Sequence, residues 1–101
     1  MKNTIKKLSR MPYASAHVEI DPAGNVYLFS YKTLVCEITA DGWLSCFGLH
    51  SATTRHHISA FVKEYITYPN GDCGDYHTAK FCFTENYRFN IHTGEIEELE
   101  D

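Results

Sequence analysis

Between Ser15 and Phe47 apolar and polar residues alternate with a period of two, and between Thr54 and Ile66 the period lengthens to that of a helix. In the first of these regions Ala16, Val18 and Ile20 face one way and His17, Glu19 and Asp21 the other, which predicts a half-buried strand. Residues 22–25, Pro-Ala-Gly-Asn, have turn composition, and residues 26–32 return as a second strand. Val26, Leu28 and Ser30 share one face of it, Tyr27, Phe29 and Tyr31 the other. A third strand is marked by Leu34, Cys36 and Ile38, opposed by Val35 and Glu37. Asp41-Gly42 is a hairpin signal, and residues 43–47 make the fourth strand. Four strands in series with tight turns predict an antiparallel meander.

Thr54, Ile58, Phe61, Val62, Tyr65 and Ile66 then fall on one stripe of a helix of about three to four turns, with His56, Ser59 and Lys63 on its outer face. Residues 69–75 read as an irregular loop. Strand-like alternation resumes at 78–84, with Phe81 and Phe83 on one side, and again at 87–91. Thr93-Gly94 turns the chain into a short, charged edge strand at 95–99. Near the start, Ile5, Leu8 and Met11 are spaced for a short helix ending before Pro12. The expected fold is α+β: an antiparallel sheet (meander plus C-terminal hairpin), one main helix packed on one face, and a short N-terminal helix. A length of 101 residues fits a single domain over 1–101.

Charge changes this picture at the ends. The formal net charge is −4, but Glu95, Glu97, Glu98, Glu100 and Asp101 all lie in the last seven residues. Before them, nine basic residues face eight acidic ones, and Lys2, Lys6, Lys7 and Arg10 gather in the first ten positions. No broad basic face of the kind that grips duplex nucleic acid is visible. The early lysines are not followed by the apolar run of a secretory leader, and no stretch is long enough to span a membrane. Cys36, Cys46, Cys73 and Cys82 are scattered without a CxxC pair, as expected of reduced thiols in a cytoplasmic protein.

The densest chemistry is at residues 51–57, Ser-Ala-Thr-Thr-Arg-His-His, where strand pattern gives way to helix. A helix start leaves backbone N–H groups without partners and carries partial positive charge. One reading is structural: Ser51 or Thr53 caps the helix, Thr54 begins the buried stripe, and His57 bonds a carbonyl or hydroxyl of a neighbouring strand. The other is an anion site, with Ser51, Thr53, Thr54, Arg55 and His57 holding a phosphate or carboxylate. Metal ligation by His56 and His57 with His50, His77 or the cysteines lacks the i, i+4 spacing of helical ligand pairs. Cys73, His77 and Cys82 are a loose match to a zinc site. Cys46 or Cys73 with a histidine would be a nucleophile and base, but no local signature groups them. No catalytic residue, metal or cofactor is therefore expected. The aromatic face of Tyr27, Phe29 and Tyr31 and the acidic Glu97 and Glu98 are candidates for contact with a partner.

From about Ser30 to Tyr65 the chain resembles small, uncharacterised proteins of phages and mobile elements. The shared residues are Ser30-Tyr31-Lys32-Thr33-Leu34-Val35, then Ser51-Ala52-Thr53-Thr54-Arg55-His56-His57-Ile58 and Phe61. The resemblance implies a small accessory protein of mobile DNA, a class rich in proteins that bind and blunt host machinery, and it carries over no known activity. The expectation is thus a non-enzymatic binding protein with a protein partner. The alternative is a module for a phosphate-bearing ligand at the helix start. The oligomeric state is left open, a homodimer included.

Overall fold

Asp21 shows how local chemistry reverses this chain. Its Oδ1 accepts the backbone N–H of Ala23 (3.0 Å) and Asn25 (2.9 Å), and its Oδ2 accepts Asn25 Nδ2 and the Tyr27 hydroxyl, both at 2.9 Å. An acceptor of this kind fixes a turn and starts the next strand in register. At the following hairpin Thr39 donates to the Trp43 carbonyl at 2.9 Å, across Asp41-Gly42.

The computed structural model describes residues 2–47 and 51–99. Among these, the strands are β1 Thr4–Lys6, β2 Ala16–Ile20, β3 Val26–Ser30, β4 Thr33–Ile38 and β5 Trp43–Cys46. The helices α1 Ala52–Tyr65 and α2 Tyr76–Thr84 follow, then β6 Tyr87–Asn90 and β7 Ile96–Glu98. The seven strands form one antiparallel sheet in chain order, β1 to β7. The architecture is α+β, and among the described residues no helix is long and apolar enough to cross a membrane.

The registers align side chains into rows across the sheet. Ile20, Val26, Ile38, Leu44, Phe89 and Ile96 are successive partners on one face, as are Val18, Leu28, Cys36 and Cys46. Both helices pack on this inner face, α1 over β3 and α2 over β5 and β6. Leu8, Leu28, Leu44, Ile58 and Phe61 are fully enclosed there, each burial stabilising by about 1.5–3 kcal/mol. The outer face carries Ile5, Glu19, Tyr27, Glu37 and Ser45 in one row and His17, Phe29 and Leu34 in another.

Three expectations are corrected. The N-terminal segment is no helix: residues 4–6 pair with β2 as an added strand, and only Leu8 of the expected stripe is fully buried, Ile5 standing in solvent. Pairing along the free edge of β2 outweighs a weak local helical pattern. Residues 78–84 are helical, not a strand. Asp75 caps α2 by accepting the Thr78 N–H at 3.0 Å, and the small Ala79 and Cys82, three apart, face the core while Phe81 and Phe83 stay exposed. Strict alternation also fails in β4. A bulge opposite Leu28 and Phe29 leaves Val35 and Cys36 both buried and moves Leu34 to the outer face.

Candidate functional site

At the start of α1, Ser51 is the N-cap, its Oγ accepting the Thr54 N–H at 3.1 Å. The Ser51 hydroxyl donates to Thr54 Oγ1 at 3.2 Å, Thr54 Oγ1 lies 3.1 Å from Ser30 Oγ, and Ser30 Oγ lies 2.8 Å from His57 Nδ1. Each hydroxyl has one proton to give. With Ser51 donating to Thr54, the assignment that gives every proton an acceptor runs Ser51 to Thr54 to Ser30 to His57 Nδ1. In that assignment His57 Nδ1 is the final acceptor. Burial and then the neighbouring His56 push the His57 pKa below the ordinary histidine value, which favours the neutral ring. The Tyr31 ring, centred 6.0 Å away, packs beside it.

Ser30 and His57 have the separation of a nucleophile and its base, but they are only 2 % and 1 % exposed. No substrate reaches them in this conformation. What the geometry does is join strand to helix: Ser30 ends β3, and Thr54 and His57 lie on consecutive turns of α1. The five residues grouped from sequence as an anion site are split. Thr54 and His57 face inward and bond to one another through Ser30, Ser51 caps, and Thr53 and Arg55 face solvent.

A second arrangement lies on the outside of the same helix. Ala52, Arg55, His56, Ser59 and Tyr76 line a hollow of about 380 Å³ beside the N-termini of both helices. Ser59 and Tyr76 had no place in the sequence grouping. The i, i+4 step from Arg55 to Ser59 was readable, but the approach of Tyr76 depends on α2 being a helix.

The third arrangement is the outer face of the sheet. The His17 and Phe29 rings stack 4.9 Å apart and nearly parallel, and His17 Nε2 is 3.0 Å from Glu19 Oε2. Bonds from His17 and then Asn3 hold the Glu19 carboxyl below the usual range. The Tyr27 hydroxyl is tied to Asp21. On the other side of the face the Arg88 guanidinium lies 4.2 Å from the centre of the Trp43 ring and donates to Glu97 Oε1 at 2.8 Å. Tyr27 and Phe29 are thus half-buried and braced. Tyr31 is not on this face: it sits in the β3–β4 turn at φ 58° and is 56 % exposed. Glu97 is engaged with Arg88, while Glu98 is exposed on the inner side beside Tyr87.

The cysteines form no exposed centre. Cys36 and Cys46 are cross-strand partners with sulfurs 3.5 Å apart, and their hydrogen bond followed by burial pushes the Cys46 thiol up. Burial and then Cys46 push the Cys82 thiol up to about 12. Cys73 is exposed. Among the described residues, no three His, Cys, Asp or Glu side chains converge as a metal site would require. His50, Glu100 and Asp101 lie outside the described residues.

The model of a family of unknown function (DUF8033) matches residues 3–76. The chain belongs to the DUF8033 family. Neither a curated protein nor a solved structure gives a significant match. The DUF8033 match takes in β1 to β5, all of α1 and the whole bond chain from Ser30 to His57. Of the helix-side hollow it includes every lining residue, Tyr76 being the last one matched. Most of α2, together with β6 and β7 and therefore Arg88 and Glu97, lies beyond it.

Proposed function

We propose that this chain is a non-enzymatic binding protein whose contact surface is the outer face of the sheet. One observation carries the reading: both helices pack on the inner face, so His17, Tyr27, Phe29, Trp43 and Arg88 stand on a face that no helix covers among the described residues. Their rings are already held flat by stacking, by the Tyr27–Asp21 bond and by the Arg88–Trp43 contact. Such a surface loses little side-chain freedom when a partner docks, and planar rings beside an arginine are the residues that dominate protein interfaces. The resemblance to proteins of phages and mobile elements supports a host protein in the cytoplasm as that partner, with host-defence antagonism as the outcome.

Affinity capture from a host lysate tests this by comparing wild type with a Tyr27→Ser, Phe29→Ser variant whose fold is checked by circular dichroism. The expected result is a partner retained by wild type and by Arg55→Ala but lost by the outer-face variant. Equal capture by all three would remove the outer face from consideration.

The hollow beside α1 supports a second reading, a phosphate-bearing ligand held by Arg55, His56, Ser59 and Tyr76. It replaces the inward-facing Thr54 and His57 of the sequence grouping with His56, Ser59 and Tyr76. A ligand that binds only the native state raises the melting temperature by mass action. Millimolar phosphate or a nucleotide should do so for wild type and not for Arg55→Ala; no rise in wild type would reject this reading.

A further inference from the structure

Among the described residues no strand pairs with the outer side of β1 or of β7, and these two edges carry opposite charge. β1 is exposed throughout, with Lys6 in the strand and Lys2 and Lys7 beside it; β7 is exposed throughout, with Glu97 and Glu98 in the strand and Glu95 beside it. Each edge also holds one large apolar side chain in solvent, Ile5 at 67 % and Ile96 at 54 % exposure. An edge strand presents a row of backbone groups ready to pair with another strand. We infer that the β7 edge of one copy of this chain pairs with the β1 edge of a second copy.

Charge selects which edges meet. β1 against β1 brings lysines together, and β7 against β7 brings glutamates together, both unfavourable across a strand pair. Only β7 against β1 joins unlike charges.

Geometry selects the direction. Ile5 lies on the outer face, opposite Glu19, and Ile96 lies on the inner face, opposite Phe89. Each of the successive pairings is antiparallel, so β1 and β7 of one copy point the same way. A second copy set alongside without turning over would pair in parallel and leave Ile5 and Ile96 on opposite faces. Turned over about an axis running across the strands, it pairs antiparallel and brings the two isoleucines to one face. With Ile5 opposite Ile96, Lys6 falls opposite Glu95 and diagonal to Glu97 on the other face. A single register therefore makes the apolar pair and the ion pairs together.

The two edges differ, so the contact is head-to-tail and each end of an assembly keeps one open edge. Its size should grow with protein concentration and shrink with added salt, which screens exposed charges. The contact needs no other partner and leaves the centre of the outer face free.

Sedimentation velocity of the full chain, from micromolar to millimolar and at low and high ionic strength, tests the inference. The expected result is an average mass that rises with concentration and falls with salt. Lys6→Glu and Glu95→Lys should each be monomeric alone and associate when mixed, because the mixture restores unlike edges. Should Lys6→Glu fail to fold by circular dichroism, Ile96→Ser takes its place and should also be monomeric. A wild type that stays monomeric at millimolar concentration in low salt would overturn the inference. So would association that these substitutions leave unchanged, or a mixture that stays monomeric.

Discussion

Ser30 Oγ and His57 Nδ1 lie 2.8 Å apart, although 27 positions separate them in the chain. This bond ties the end of β3 to the second turn of α1, and Thr54 joins it from one turn earlier at 3.1 Å. Removing the imidazole takes from the buried Ser30 hydroxyl one of its hydrogen-bond partners. His57→Ala is expected to lower unfolding free energy by about 1–3 kcal/mol in urea denaturation. His56→Ala, on the exposed side of the same helix, should stay within about 0.5 kcal/mol of wild type. Equal losses from the two would contradict the inward placement of His57.

The buried position of His57 also makes stability depend on pH in a stated direction. Burial, then His56, lowers the folded-state pKa of His57 below the ordinary 6.5. Between those two values the unfolded chain binds a proton that the native one does not, so stability is full above about 6.5 and declines as pH falls. His57→Asn removes the titrating group and should flatten the decline between pH 7 and pH 5. Parallel melting curves for wild type and variant across that range would rule out His57 as its source. The carboxyls of Glu19 and Asp21, held low by bonds from His17 and Asn25 respectively, release their share of stability only at more acid pH.

Gly74 separates crowding from backbone strain. A Cβ there would press on the Val62 carbonyl and come within 2.8 Å of Ile66 Cβ. Neither neighbour is the loose end of a side chain, so Gly74→Ala should destabilise by about 1–3 kcal/mol as an overpacked site. Gly71 has open space around it but sits at φ +94°, so Gly71→Ala should cost about 1 kcal/mol. Thermal melts of the two variants compare them directly, and a larger loss at Gly71 would deny the close approach of the loop to α1.

Thiol chemistry should distinguish the four cysteines. Cys73 is exposed, whereas Cys36, Cys46 and Cys82 are buried and the last two have raised pKa values. Only the thiolate alkylates at a useful rate. Mass spectrometry after brief iodoacetamide treatment at neutral pH should therefore find one adduct, on Cys73, with the others appearing only in denaturant. Early labelling of Cys46 would mean that the inner face opens readily.

The meander and α1 were legible because their patterns are long and agree with the turn residues between them. Alternation in β2, the turn composition of residues 22–25, the Asp41-Gly42 hairpin and the Thr54–Ile66 stripe all say the same thing locally. The role of Ser30 had a signal too, as the one hydroxyl on the otherwise apolar Val26–Leu28 face, but its partner emerges only when α1 crosses β3. Residues 78–84 misled because Phe81 and Phe83 alternate with polar neighbours, while the side chains that face the core are the inconspicuous Ala79 and Cys82. The Asp75 cap, three residues before Thr78, was the competing evidence. At the N-terminus, Ile5 and Leu8 share a helical spacing, yet a three-residue strand beside β2 is decided by an edge elsewhere in the sheet. The candidate anion site was legible only as a group of residue types; which of them face inward is set by the phase of α1 against Ser30.

The chain order of the sheet also dictates where the molecule comes apart. Every neighbouring pair of strands is joined by a short connection except β1–β2, with its intervening turns, and β5–β6, between which both helices are inserted. Closing that longer excursion costs more chain entropy than any hairpin, and the seam it closes is short: Trp43 beside Asn90 and Leu44 beside Phe89, with further bonds from the Ile91 amide to the Gly42 carbonyl and from Asn90 Nδ2 to the Asp41 carbonyl. The first five strands can zip together from adjacent turns, while β6 and β7 must wait for α1 and α2 to settle. In hydrogen exchange the amides of the C-terminal hairpin should therefore open ahead of those in β2 to β4, making this seam the kinetic weak point of the fold.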